Sequence, residues 1–198
     1  MTIDVCMKNI DESFLDEIDE IMEDSMIGIF IVHIQSKEEL EKIKIVANKF
    51  NSIFYATNIE LKDFSDKNCV GYTIENHSQS TLLNDANKTI FINEESLSNE
   101  VIKTLSEAPY KGIILNATKE HSQLENFYIS FGEENISKFN IKDIENISMD
   151  KIVLESSYPK YGFDSIEKTV KIISDALLRP EQSIIARATK NSLALFDF

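Results

Sequence analysis

The chain predicts an α/β fold built on a parallel sheet, from three observations. Short apolar, β-branched runs alternate with helix-period segments, the sequence sign of repeated βαβ units. Eight such runs are present: TIDVCM, IGIFIVHI, SIFYATNI, NCVGYTIE, TIFIN, GIILNAT, FYISFG and KIVLES. The 198 residues contain no Pro/Gly-rich linker, low-complexity stretch or internal repeat, so one domain over 1–198 is expected.

Between the first two runs, Phe14, Leu15, Ile18, Ile21 and Met22 recur at helical spacing among acidic residues, which predicts an amphipathic helix. Residues 38–50 repeat the pattern with Leu40, Ile43, Val46, Ala47 and Phe50. The stretch NHSQSTLLNDAN, after the fourth run, is too polar and too short for a full outer helix, so a main deletion is placed there. Residues 96–105 supply the next helix through Leu97, Val101, Ile102 and Leu105. From Ser165 the tail holds Ile166, Val170, Ile173 and Leu177. It breaks at Pro180, which suits the first turn of a new helix, and resumes through Ile184, Ile185, Ala188, Leu193 and Leu195 to Phe198.

Asp and Glu number 34 against 20 Lys and Arg, a formal charge of −14. That balance disfavours unaided binding to phosphate backbones, which calls for clustered basic residues. The Lys are spread singly through acidic helices, as on solvated faces. Nucleic acid binding would therefore need metal ions or a local basic patch. The start MTIDVCMKNIDESF lacks a basic segment followed by an apolar run, and no stretch is apolar enough to span a bilayer. A soluble, cytoplasmic protein is expected. Cys6 and Cys69 lie inside apolar runs and read as buried free thiols. The acidic runs DESFLDEIDEIMED and GEEN follow no calcium-loop pattern, and neither a GxGxxG nor a phosphate-loop motif is present.

Residues 127–159, FYISFGEENISKFNIKDIENISMDKIVLESSYP, read as strand, connecting helix and a second strand ending at a site-like turn. This segment resembles the seventh and eighth βα units of the TatD family, metal-dependent nucleases on a (β/α)8 barrel, where the pattern reads like "GfyiSfsG" and then "iPldrLLlETDaP". The ending ATKNSLALF is similar to the family's "attkNaerlF", and ELEKIKIVANKFNSIFYAT resembles "alelaekypnvyaavG". The resemblance implies a compacted (β/α)8 TIM barrel. Such a barrel ordinarily takes about 250 residues, so one or two outer helices are expected to be missing or shortened.

The resemblance also places a site. The family's first strand carries two metal-binding His in an "IDtHcH" pattern; MTIDVCMKN keeps Ile3 and Asp4 and has Cys6 and Lys8 there. A lysine ammonium has no lone pair to give a cation. Where the fourth strand should end in Gly-Glu, the chain has Gly71 and Tyr72, with Glu75 three residues on. Strand alternation decides whether Glu75 faces the mouth. The His of "PvviHsReA" becomes Asn93, that of "GiiHcFsG" becomes Asn116, and the Asp of ETD becomes Ser157.

All six aligned ligand positions are changed, which implies a degenerate pocket without metal or other cofactor. The expected protein is a catalytically inactive binding or assembly partner of another protein, with no membrane role and no nucleic acid bound without metal. The alternative is a metal-dependent hydrolase, a deoxyribonuclease acting on phosphodiester bonds. It would hold a divalent metal on rearranged ligands drawn from Asp4, Cys6, Glu75, His77, Asn93 and Glu155. A third reading is a small-molecule binder with Lys8 as anion contact and Tyr72 as stacking wall. His33 reads as a hydrogen-bonded core residue, His77 and His121 as exposed, and Glu155 as a structural carboxylate within the mouth.

Overall fold

Each of the eight apolar runs forms a strand in the computed structural model, which describes residues 1–8, 10, 12–24, 26–61, 65–83, 88–107, 109–119, 121 and 123–196. The strands are β1 (Thr2–Met7), β2 (Ile27–Ile34), β3 (Ile53–Asn58), β4 (Cys69–Ile74), β5 (Thr89–Asn93), β6 (Gly112–Leu115), β7 (Phe127–Phe131) and β8 (Ile152–Leu154). They pair in parallel and in chain order into a closed barrel, β8 returning to β1 through Asp4 and Leu154. The barrel fold expected from the sequence is therefore the fold observed.

Full helices cover only part of the ring. They are α1 (Glu12–Asp24), α2 (Lys37–Lys49), α4 (Asn99–Ser106), α7 (Asp164–Leu177) and α8 (Glu181–Leu195), while α3 (His77–Ser80), α5 (Glu133–Ile136) and α6 (Ile141–Asn146) are short. Between β3 and β4 the described residues hold one 3-10 turn, and between β6 and β7 they hold no helix. The compaction thus reaches further than one or two outer helices. In the polar stretch after β4, the expected deletion appears as the single turn α3 and a 3-10 turn at Thr81–Leu83. Residues 84–87 of that stretch, and Asp11 and Phe198 of other predicted elements, lie outside the described residues.

Helix boundaries follow local chemistry. Ser36 opens α2 by accepting from the backbone N–H of Glu39, whose carboxylate accepts from the Ser36 N–H in return, a reciprocal cap that satisfies two otherwise orphaned donors. Tyr158–Pro159 is a cis peptide.

Alternation along the strands sorts the apolar side chains into two layers. Ile3, Val5, Ile31, Ala56, Phe91 and Ile113 fill the barrel's interior, while Phe30, Val32, Tyr55, Ile90, Ile92 and Ile114 pack outward against the helices. The end of α8 closes the floor. Leu195 and Phe196 join the inner cluster, Phe196 stacks on Phe91 at 6.0 Å, and the Thr89 hydroxyl donates to the Leu195 carbonyl at 2.7 Å. With the floor filled, the accessible end is the mouth at the strands' carboxyl termini, where barrel folds carry their chemistry.

Candidate functional site in the barrel mouth

Beneath the mouth, the ends of β1 and β8 are sewn together by a buried carboxylate. Asp4 accepts from the backbone N–H groups of Cys6 at 3.1 Å and Ser156 at 3.0 Å, and from the Ser156 hydroxyl. Ser157, in the left-handed region at φ 57°, donates its N–H to the Cys6 carbonyl at 3.1 Å. Burial raises the pKa of Asp4 above the usual carboxylate range, against the pull of these hydrogen bonds.

Glu155, the other carboxylate here, is fully buried. Burial pushes its pKa up to about 7, opposed by a hydrogen bond involving Ser130 and assisted by the charge of Asp4. Its Oε1 accepts from the Ser157 hydroxyl at 3.5 Å, whereas Oε2 has no hydrogen-bond partner among the described residues. Gly132 permits this packing, since a Cβ there would stand 2.8 Å from the Glu155 Cγ. The Cys6 thiol is held in its protonated form by burial first and then by the charges of Glu155 and Asp4.

Above these groups lies a cavity of about 160 Å³ lined by Cys6, Lys8, His33, Glu75 and Asn93, among others. Asn116 reaches it indirectly: its side-chain amide donates to Asn93 Oδ1 at 3.1 Å, from a backbone at φ 54°. The imidazole of His33 donates through Nε2 to the Val5 carbonyl at 2.9 Å and meets the Phe91 ring edge-on at 4.6 Å. Burial, with a contribution from Lys8, lowers its pKa to about 4, so the ring is neutral at pH 7. His33 is the hydrogen-bonded core residue expected, yet it also lines the cavity. Its place is legible in hindsight, because Ile29, Ile31 and His33 alternate on one face of β2.

Two expected members stand elsewhere. Tyr72 lies in register with Ile90 and belongs to the outer cluster shared with the helices, so it forms no wall of the mouth. The bulge in the β3–β4 pairing, between Tyr55 and Ala56, shifts the faces here and turns Thr73 and Glu75 toward the cavity instead. His77 is exposed on α3, its Nδ1 3.4 Å from the Ser80 hydroxyl. His121, expected to be exposed, is instead largely enclosed and paired with Glu94 at 2.7 Å. Glu94 also accepts from the N–H and hydroxyl of Thr118. Burial alone would raise the Glu94 pKa, but these hydrogen bonds and the His121 contact outweigh it and lower the value. This pair, which clips the loop after β6 to the end of β5, had no local sequence signal.

The mouth therefore gathers a neutral imidazole, a protonated thiol, carboxamides, one ammonium and the carboxylate of Glu75. Among the described residues no three His, Cys, Asp or Glu side chains stand close enough to hold a metal ion.

No protein-family model and no curated protein sequence matches the chain. Solved structures do. A TatD homologue from Escherichia coli K12 superposes with a TM-score of 0.78 at 12% identity, over 100% of this chain and 98% of its own. The chain shares the TatD barrel fold. A TatD-family hydrolase from Entamoeba histolytica gives 0.69 at 12% identity, covering 99% of this chain and 98% of that one. An uncharacterised amidohydrolase from Saccharomyces cerevisiae gives 0.70 at 9% identity, covering 98% and 99%. Among the described residues no helix is long and apolar enough to cross a membrane.

Proposed function

We propose that this chain is a degenerate TatD-like barrel whose metal centre is lost, and that it acts as a non-catalytic binding or assembly partner of another protein. The observation carrying this reading is Lys8, whose ammonium lines the cavity where the family pattern has a metal-binding His. A fixed positive charge opposes a cation directly, and it has no lone pair to contribute.

The other groups fit a metal no better. A thiol binds as thiolate, and Cys6 is held protonated by burial and by Glu155 and Asp4. The carboxylate of Asp4 is occupied by three donors from β1 and the turn after β8. Of the rearranged set that a working hydrolase would need, His77 stands on α3 and does not line the cavity. Phosphodiester hydrolysis on this fold relies on metal to activate water, and these side chains do not form a set that fits one. The strand patterns nonetheless persist around the altered site, which favours a retained use for the folded shape.

The test is calorimetry with Mg²⁺, Mn²⁺ and Zn²⁺ beside a nuclease assay on single- and double-stranded DNA in the same buffers. No metal binding and no cleavage is the expected result. Tight binding of one ion accompanied by cleavage that Glu75→Gln or Glu155→Gln abolishes would overturn the proposal.

A further inference from the structure

We infer that a second site, a groove between α1 and α2, binds a small amphipathic anion, its acidic head on Lys8 and its hydrocarbon tail along the apolar walls. The groove has a volume of about 570 Å³, within the roughly 300–1,000 Å³ of small-molecule sites. Its walls are Ile10, Leu15, Val32, Ile34, Ile43 and Val46. Ile45, 73% exposed, continues this apolar surface onto the rim. Lys8 and His33 line both this groove and the mouth cavity, so the two spaces meet at the ammonium.

The polar groups on the groove decide the charge of the ligand. Oε2 of the Glu39 carboxylate accepts from the N–H groups of Gln35 and Ser36. Lys42 is paired with Glu38 at 2.7 Å. His33 donates its Nε2–H to the Val5 carbonyl. Among the described residues of the groove, Lys8 is the ammonium without a close carboxylate: its ion pair with Glu134 is 3.7 Å long, and that carboxylate is held more closely by Lys160 at 2.8 Å. A groove with apolar walls and an ammonium free of a close carboxylate, where it meets the mouth, selects a head that is negative and a tail that is not. The net charge of −14 does not forbid this, because distant surface charges are screened within about 8 Å at physiological ionic strength. Binding in the groove does not depend on whether the mouth catalyses anything.

The experiment is calorimetric titration of the full chain with decanoate, decanol and acetate, repeated on Lys8→Met and Lys8→Arg. Decanoate should bind about tenfold more tightly than decanol, as expected for one charge-assisted contact, and acetate should not bind measurably. Lys8→Met should bring decanoate down to the level of decanol, and Lys8→Arg should restore the difference. Thermal unfolding without ligand checks that both variants fold, as the half-exposed position of Lys8 leads one to expect. Equal affinity for decanoate in the parent chain and Lys8→Met, or no decanoate binding, would overturn the inference. Lys8-dependent sedimentation with phosphatidylglycerol vesicles, without binding of free decanoate, would overturn the assignment to a free ligand.

Discussion

Glu155 and His33 set opposing pH slopes on stability. The carboxyl of Glu155 titrates near 7 in the folded chain against 4.5 ordinarily. The native state therefore holds a proton that the unfolded chain has released. Its contribution is present below 4.5 and is lost as pH rises through about 7. His33 titrates near 4 against 6.5, so its contribution is lost as pH falls from 6.5 toward 4. The two slopes offset each other in mildly acidic solution, and above neutrality only that of Glu155 has acted. Glu155→Gln, which retains an uncharged side chain of the same shape, should remove the alkaline loss. Its unfolding free energy from denaturant titration at about pH 8 should exceed the parent's, by at most about 3 kcal/mol. A difference that stays constant from about pH 5 to 8 would contradict it. Cys6 and Cys69 are both buried; a thiol reagent should label neither in the native protein and both after unfolding.

At the scale of elements, the strands were legible because an apolar, β-branched run has few alternatives, and every such run is a strand. The faces of those strands were less legible. Tyr72 aligned with a site position, but the β3–β4 bulge places it outside, and bulges leave no mark in a single sequence. The Glu94–His121 pair spans 27 residues, which local periodicity cannot report. Candidate positions Cys6, Lys8 and Asn93 did converge, since each sits at or just beyond a strand's carboxyl end. Two element-level contacts should prove measurable. Ser36→Ala removes the hydroxyl half of the reciprocal cap of α2 and should cost about 1 kcal/mol, read as a lower Tm. Asn191, on α8, donates to the carbonyls of Met149 and Ile152 at 2.9 and 2.7 Å. Asn191→Ala strands both acceptors and should cost about 1–3 kcal/mol in urea unfolding.

For the whole molecule, the absence of a fitting donor set among the described residues predicts that chelators leave stability unchanged: the Tm with EDTA should equal that with Mn²⁺. A rise with Mn²⁺ would count against the proposed function. The ring itself is unequal around its circumference. Four of the β–β junctions between β2 and β6 carry four or five paired positions, but the β8–β1 junction carries one, Asp4 with Leu154. Asp4 compensates by binding Ser156 across 152 positions of sequence. That makes the junction a seam, and a seam has a solubility consequence as well as a stability one. A closed ring offers no free strand edge to a neighbouring molecule, whereas an opened one offers two. Asp4→Ala should accelerate amide exchange at Cys6 and Ser156, and light scattering should then rise with protein concentration, as barrels unzipped at one side begin to pair with each other.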